Sequence, residues 1–314
     1  MFAQTEKQTL SLQIKQQALS LGFADCGMAP ASVLTDEEAH LKSWIDNAYY
    51  ADMRYYGAHL HNRLDPSSVL PNAKSIIAVV LPYYQKNEKQ TYLKIARYAL
   101  GKDYHSEVKR LLDRLLVFIK NLLPESNGKS FCDSGAMLEK AWANRCGLGA
   151  IGKNSLLIHP QWGSFVFIGL IVSDVELEYD APFSTNCCER CKRCMVACPT
   201  QAIVSPHVVD ARKCISYHTI ESKKGIPFEY EKKTEGFVYG CDVCQEVCPY
   251  NQEVLSCIES SPLYKAELNS LSSQDLSTLS QRQFDTLLSD TSIARVGYNK
   301  LMHNIKLVMN ANEQ

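Results

Sequence analysis

The residues with the most specific chemistry in this sequence are the cysteines of two short runs. The first run has the spacing C-x2-C-x2-C-x3-C-P and consists of Cys188, Cys191, Cys194 and Cys198. The second has the spacing C-x2-C-x3-C-P and consists of Cys241, Cys244 and Cys248. In bacterial ferredoxins this spacing places three thiolates on one [4Fe-4S] cluster and sends the fourth to a neighbouring cluster. The runs therefore predict electron transfer through two [4Fe-4S] clusters.

The second run is one cysteine short, and Cys214 is the natural candidate to complete its cluster. Exchanging the last cysteine of each run between the clusters then uses every ligand once. The first predicted set is Cys188, Cys191, Cys194 and Cys248. The second predicted set is Cys198, Cys214, Cys241 and Cys244.

Zinc is the alternative interpretation of these cysteines, because pairs with C-x2-C spacing also occur in zinc ribbons. A zinc site has no use for the C-x3-C-P continuation, which this sequence contains twice. Cys187 is predicted to be a spare residue, since its use would break the spacing. The remaining cysteines have no partner at ligand spacing and are expected to pack in the interior; they are Cys26, Cys132, Cys146 and Cys257.

The composition indicates a soluble protein of the cytoplasm. The chain has 314 residues, 46% of them hydrophobic, and a formal net charge of -1. The start of the sequence lacks the pattern of an export signal, and no apolar run approaches the ~20 residues that a membrane helix needs. Thirteen cysteines in a reducing compartment are better explained as metal ligands than as disulfides. A polyanionic partner would have to meet a local basic face.

The elements that must position these cysteines follow from apolar periodicity. Residues 10–21 and 103–123 have helical spacing, whereas 75–81 (SIIAVVL) is a continuous apolar run typical of a buried strand. Further strands are predicted near 23–28, 129–132, 154–158 and 164–172, and further helices at 36–45 and 138–146. The predicted fold class is mixed, α+β/α/β. It comprises an N-terminal α/β domain at 1–179, a ferredoxin-like domain at 180–258 and a short C-terminal helical segment at 259–314.

A GxGxxG run at Gly147, Gly149 and Gly152 suggests a dinucleotide-binding fold. That fingerprint requires a strand before it and a helix after it. Here a predicted helix precedes the glycines and a predicted strand follows, so we reject a nucleotide site. The glycines are expected to end the helix and to let the backbone pass close to a large planar ligand.

Several blocks of sequence resemble the epoxyqueuosine reductase family, which are cobalamin-dependent iron–sulfur enzymes of tRNA modification. The similarity covers roughly residues 5–255 and includes both cysteine runs. Its more specific blocks are ARYA at 96–99, GKDYH at 101–105, DSG at 133–135, EKAWA at 139–143 and GKNS at 152–155. The resemblance implies that the α/β domain binds cobalamin, that the clusters feed it electrons, and that the epoxide on the wobble nucleotide of certain tRNAs is reduced to queuosine.

The resemblance also implies roles for individual residues. Asp133 matches the family's proposed proton donor, and we expect burial near the corrin to raise its pKa toward neutrality. Without the resemblance, Asp133 would be explained as a turn residue capping the next helix. Five positions match cobalamin contacts of the family, although the aliphatic ones are equally explained as core residues; they are Leu157, Ile168, Ile171, Ser216 and Asp242.

The expected partners are tRNA and an external low-potential electron donor, and the protein is expected to act as a monomer that does not bind membranes. Four basic pairs of the cluster domain could form a face for RNA: Lys192-Arg193, Arg212-Lys213, Lys223-Lys224 and Lys232-Lys233. The chain after residue 257 is shorter than the helical-repeat extension of many family members. The alternatives are a corrinoid reductase of a small molecule, resembling reductive dehalogenases, and a non-catalytic electron-transfer protein.

Overall fold

The structure is a computed structural model and describes residues 3–58, 60–85, 89–254, 256 and 261–313. The predicted packing residue Cys257 lies outside these residues. The helices and strands of the N-terminal part are α1 (Gln4–Ser20), β1 (Asp25–Pro30), α2 (Thr35–Asp46), α3 (Tyr55–Ala58), α4 (Leu60–Leu64), β2 (Ser75–Pro82), β3 (Lys94–Ile95), α5 (Tyr104–Leu122), β4 (Gly128–Phe131), α6 (Glu139–Arg145), β5 (Ala150–Ile151), β6 (Leu157–Ile158) and β7 (Val166–Ser173).

The main sheet has four strands in the order β1-β2-β7-β4, and every neighbouring pair is antiparallel. Helices cover both of its faces: α1 and α5 pack on one, and α2 and α6 on the other. All eight residues of β2 are therefore buried. The apolar run at 75–81 was correctly predicted as a buried strand, but a strand covered on both faces has this pattern in either kind of sheet. An α/β domain has a mainly parallel sheet, so the all-antiparallel pairing corrects the α/β description of this part to α+β.

The amphipathic helices form as their periodicity predicts. The predicted face of α1 is buried at Leu10, Ile14 and Ala18. The helix ends before Gly22, which has a φ of +101°, a conformation that favours glycine. In α5, Asp103 is the N-cap, and its carboxylate accepts a hydrogen bond from the backbone N–H of His105. This cap fixes the start of α5 next to the end of β4.

The predicted strand at 154–158 is shorter than expected and does not pair with β7. It forms only at β6, which pairs with β5 in a separate two-stranded sheet. The glycine run follows α6 and spans β5, so the prediction that a helix precedes it is confirmed. Gly147 ends α6 with a φ of +80°. A Cβ atom on Gly149 would lie 2.4 Å from the backbone oxygen of Ile158, so Gly149 allows the close approach of β6.

The cluster region and the C-terminal part are built from short elements. They are α7 (Arg193–Ala197), β8 (Ile203–Ser205), β9 (Val208–Val209), α8 (Ile215–Ile220), α9 (Phe228–Glu231), β10 (Phe237–Tyr239), α10 (Val243–Glu246), α11 (Ala266–Asn269), α12 (Ser273–Ser277), α13 (Gln281–Leu287) and α14 (Gly297–Glu313). Strand β10 pairs with β3 of the N-terminal part in parallel orientation. The C-terminal segment that was predicted to be helical contains α11 to α14.

The C-terminal helices share a hydrophobic core with residues from both preceding parts. In this core, the leucines of α11 to α14 pack on Leu93, Leu100 and Tyr239. Asn304 of α14 is completely buried and donates its side-chain amide to the backbone oxygens of Thr219 and Val238, each at 3.0 Å. A buried amide without such acceptors would be costly, so these contacts fix α14 against the cluster region.

Candidate active site and metal centres

Four of the predicted cluster ligands line a single cavity, and they come from both cysteine runs. They are Cys188, Cys191, Cys194 and Cys248, the set predicted for the first cluster, and Cys187 lines the same cavity. Lys153 of the N-terminal part also lines this cavity, and its ammonium group donates hydrogen bonds to the backbone oxygens of Glu189 and Cys191 at 3.0 and 2.9 Å. The loop that carries the first cysteine run is thus hydrogen-bonded to the N-terminal part.

The second predicted set is assembled from the ends of three short helices. Cys198 follows α7, Cys214 precedes α8, and Cys241 and Cys244 lie at the start of α10. Burial raises the pKa of the Cys241 thiol, and the neighbouring Cys214 and Cys198 raise it further. The backbone N–H of Ala202 donates to Sγ of Cys198 at 3.2 Å. Cys214 and Cys198 thus lie near Cys241 in the structure, and the assignment of Cys214 as a cluster ligand stays a prediction.

Asp133 lies just beyond the end of β4, at an open edge of the main sheet. Strand β4 pairs only with residues 170–173 of β7, and continuing its register would bring Asp133 opposite Ile168. Ile168 is half-buried, whereas the other seven residues of β7 are buried. Asp133 has a φ of +49° and its side chain is 60% exposed. This edge is where a bound molecule could reach the Asp133 carboxylate.

The first turn of α5 holds the Asp133 carboxylate. The Tyr104 hydroxyl donates a hydrogen bond of 2.5 Å to its Oδ2 atom, and Nε2 of His105 lies 3.5 Å from the same atom. Nδ1 of His105 lies 2.7 Å from Oδ1 of Asp103. Partial enclosure raises the pKa of Asp133, but the bonds from His105 and Tyr104 outweigh it and hold the pKa below its usual value. The raised pKa that we expected for Asp133 is therefore not found in the protein alone.

Glu139 supports Asp133 from the other side. Its Oε1 atom accepts a hydrogen bond of 2.5 Å from the backbone N–H of Asp133. Burial, and then the charge of Asp133, raises the pKa of Glu139 to about 8. The neighbouring Lys140 donates to the backbone oxygen of Ser155 at 2.6 Å. Sequence patterns alone give Tyr104, Asp103 and Glu139 no role, although the GKDYH and EKAWA blocks contain them.

The residues predicted to contact cobalamin are placed in different surroundings. Leu157 is buried in β6, Ser216 is half-buried in α8, and Ile168 reaches the open edge. Ile171 is completely buried in the core on the α1 and α5 side, opposite the face against which Ile168 packs. The structure does not bring Ile168 and Ile171 to one face of the sheet.

Asp242 is 1% exposed and bridges the N-terminal part to the cluster region. Its Oδ2 atom accepts hydrogen bonds from the backbone N–H of Arg97 at 2.8 Å and from its guanidinium at 3.1 Å. Burial raises the pKa of Asp242 to about 6, although Arg97 opposes the shift. Arg97 also donates to Glu246 at 2.7 Å. These contacts join the residue after Cys241 to the segment after β3.

The basic pairs lie on the surface with one partial exception. Seven of the eight side chains are exposed, and Lys213 is half-buried. Arg212 is paired with Asp210 at 2.8 Å, which reduces its charge toward an external partner. No helix in the described ranges is both long enough and apolar enough to span a bilayer.

Comparisons with known protein families support an iron–sulfur site in this chain. A family model described as "4Fe-4S double cluster binding domain" matches residues 187–251, and one described as epoxyqueuosine reductase QueG matches residues 63–134. The cysteine-lined cavity and these matches define an iron–sulfur oxidoreductase.

Relatives along the whole chain make the assignment specific. The epoxyqueuosine reductase of Cellulophaga algicola is 42% identical over 93% of this chain and 95% of its own length. That of Escherichia coli is 34% identical over 96% of this chain and 80% of its own. The chain belongs to the epoxyqueuosine reductase family.

Solved structures support the same assignment. A crystal structure of epoxyqueuosine reductase with an epoxyqueuosine-modified stem loop of tyrosine tRNA has a TM-score of 0.87 at 28% identity, covering 96% of this chain and 81% of that chain. A structure of the Bacillus subtilis epoxyqueuosine reductase, in which a catalytic aspartate loop is swung out of the active site, has a TM-score of 0.85 at 27% identity. It covers 96% of this chain and 82% of that chain.

Proposed function

We propose that this protein reduces the epoxide of epoxyqueuosine in tRNA to queuosine, using cobalamin and two [4Fe-4S] clusters, with Asp133 as the proton donor. The observation that carries the proposal is the placement of Asp133 at the open sheet edge, between Tyr104, His105 and Glu139. An electron carrier has no need of a carboxylate held in this way. The tRNA stem loop bound by a structural relative supplies the substrate class.

The residues at the open edge fit a large ligand that has an apolar ring and polar amide groups on its rim, as cobalamin does. Ile168 provides apolar surface at this edge, whereas Leu157 is buried in β6 and Ser216 is half-buried in α8 on the cluster side. Within the described ranges, the buried atoms Ser155 Oγ and Arg97 Nε have no hydrogen-bond partner in the protein, and buried polar atoms normally have one. When bound, cobalamin would supply a strongly reducing cobalt centre, a chemistry that no side chain provides.

The two cysteine sets would form a path for electrons toward this edge. We assign Cys188, Cys191, Cys194 and Cys248 to one cluster, and Cys198, Cys214, Cys241 and Cys244 to the other. Asp242 lies next to Cys241 and is bonded to Arg97, so the second set contacts the N-terminal part, as the first set does through Lys153. A low-potential donor outside the chain would load the clusters. We place the division between the three parts of the chain at 179/180 and 258/259.

The carboxyl group of Asp133 would protonate the epoxide oxygen as its bond to carbon breaks. A general acid must lie within hydrogen-bond reach of the leaving atom, and the exposed side chain of Asp133 can be reached from the open edge. Tyr104 and Glu139 orient it, the first through its hydroxyl and the second through the Asp133 backbone N–H. A wobble nucleotide splayed from its loop can enter such a site.

The remaining tRNA would be bound by the exposed basic pairs, because neutralising phosphates supplies most sequence-independent affinity. Lys223, Lys224, Lys232 and Lys233 are exposed on the segment between α8 and β10. We expect the protein to act as a monomer in the cytoplasm, where its tRNA substrate is found.

Anaerobic reconstitution tests this function. The chain is loaded with iron, sulfide and cobalamin, and incubated with tRNA that carries epoxyqueuosine and with a strong reductant. The nucleosides are then analysed by mass spectrometry. We expect epoxyqueuosine to be replaced by a product lighter by one oxygen atom. Unchanged epoxyqueuosine after incubation with fully loaded protein would exclude the proposed function.

A further inference from the structure

The proposed reaction consumes more protons than one carboxyl group can supply. Removing an epoxide oxygen to leave a carbon–carbon double bond requires two electrons and two protons, and releases one water. Breaking the first C–O bond leaves an alkoxide that takes one proton. Breaking the second releases the oxygen as water after another proton, while the electron pair forms the double bond. The electrons come from the external donor through the clusters. Because two protons are consumed, the acid must be protonated again within each turnover.

Asp133 holds a proton poorly in this structure, because the bonds from His105 and Tyr104 keep its pKa low. Tyr104 donates to the Asp133 carboxylate, but burial raises its own pKa well above the usual value, so it does not release its proton readily. Glu139 faces the backbone N–H of Asp133 and not the Oδ2 atom. The source of the protons is therefore to be sought among the other neighbours of Oδ2.

His105 is the neighbour with a suitable geometry. Its Nε2 atom lies 3.5 Å from Oδ2 of Asp133, and its Nδ1 atom lies 2.7 Å from Asp103. The imidazole stacks on the Tyr104 ring at a centroid distance of 4.0 Å, and its side chain is 20% exposed. Asp103 is itself fixed as the N-cap of α5. One ring nitrogen is thus held by a carboxylate while the other faces Asp133.

The charged surroundings favour the protonated imidazole. Burial lowers the pKa of His105, but the bonds to Asp133 and Asp103 outweigh this and raise it above its usual value. The imidazole of His105 therefore keeps its proton to a higher pH than a free histidine does. Other titratable groups either shift the pKa of Asp133 or have their own pKa shifted by its charge. They are Arg295, Glu139, Lys140, Cys132, Tyr55, Tyr56, Tyr98 and Tyr104.

We propose that His105, positioned by Asp103, relays to Asp133 the protons that epoxide reduction consumes; this role rests on the proposed function. The proton on Nε2 passes to Oδ2 of Asp133 as Asp133 gives its own to the leaving oxygen. Solvent water then protonates the imidazole again at its exposed edge. His105 acts through Asp133 and is a positioning and relay residue, whereas Asp133 meets the substrate.

The test is the pH dependence of single-turnover reduction by the fully loaded holoprotein. The rate of the unmodified protein should fall as pH rises through the pKa of His105, because neutral imidazole has no proton on Nε2 to give. In His105→Gln the rate should drop by about 10²-fold and lose this dependence. His61→Gln is the matched control, since the side chain of His61 is 78% exposed. In His105→Ala, added imidazole should restore part of the rate.

Asp103→Asn gives a second measurement with an intact helix cap, since asparagine and aspartate cap equally well. Removing the carboxylate lowers the pKa of His105, so the fall in rate should move to lower pH. The relay is overturned if His105→Gln keeps the rate and pH profile of the unmodified protein. It is also overturned if Asp103→Asn leaves the profile in place, or if Glu139→Gln and not His105→Gln removes it. Absence of conversion by the unmodified protein would instead contradict the proposed function.

Discussion

Tyr104 and Asp133 are joined by a hydrogen bond of 2.5 Å from the tyrosine hydroxyl to Oδ2 of the carboxylate. The bond connects the first turn of α5 to the residue that follows β4 by two positions. Tyr104 in turn stacks on Phe167 of β7 with ring planes 8° apart. The sheet thus fixes the tyrosine, and the tyrosine fixes the carboxylate that we propose as the acid.

Asp133→Asn should remove the proton donor without disturbing the fold, because the amide has nearly the shape of the carboxyl. We expect turnover to fall by about 10² to 10⁴-fold, the usual contribution of a general acid. Iron content and the absorbance of bound cobalamin should not change. Asp285→Asn is the control, since Asp285 is exposed on α13 and bonded to Gln281. Full turnover by Asp133→Asn with both cofactors bound would show that another group is the acid.

Glu139→Gln should change how stability depends on pH. The pKa of Glu139 is raised from 4.5 to about 8 in the folded protein, so between these values the unfolded chain releases a proton that the folded chain keeps. Stability from this group is therefore lost as pH rises from about 4.5 to about 8. Glutamine cannot ionise, so the melting temperature of the variant relative to the unmodified protein should rise across this range. If the difference in melting temperature stayed constant across this range, the pKa of Glu139 would not be raised in the folded protein.

Cys214→Ala tests the assignment of the second cluster. If Cys214 completes the set with Cys198, Cys241 and Cys244, the variant should keep the first cluster and lose the second. Iron and sulfide analysis and electron paramagnetic resonance of the reduced protein would measure this. Cys187→Ala is the control, because Cys187 lies next to Cys188 but is assigned to neither set. Retention of both clusters in Cys214→Ala would show that another ligand completes the second set.

Asn304→Ala tests whether the C-terminal helices are part of the folded unit. The substitution leaves the backbone oxygens of Thr219 and Val238 without their donors, which costs about 1–3 kcal/mol for each unsatisfied buried group. We expect a lower melting temperature in anaerobic calorimetry of the loaded protein. Asn299→Ala on the exposed side of α14 should have little effect. Equal melting of the two variants would mean that the contacts of Asn304 do not hold α14 in place.

The local elements could be predicted because their signals are local. The apolar spacing in α1 and α5 and the continuous run in β2 each identify an element without reference to the rest of the chain. The two cysteine runs likewise predict their own chemistry, and the family match at residues 187–251 agrees with it.

The direction of the strands and the surroundings of Asp133 could not be predicted in the same way. The run in β2 is apolar on both faces, and this is equally compatible with parallel and antiparallel neighbours. Asp133 meets Tyr104, which is 29 residues away, only because β4 pairs with β7 and α5 packs on the same sheet. The left-handed backbone at Asp133 and its contact with Glu139 also depend on tertiary structure.

The most direct test of the central claim is the dependence of tRNA product on cobalamin. Protein containing both clusters is divided, one half is loaded with cobalamin, and each half is mixed anaerobically with reductant and epoxyqueuosine-containing tRNA. Mass analysis of the nucleosides should show queuosine only in the half that holds cobalamin. Equal formation of queuosine in both halves, or none in either, would contradict the account.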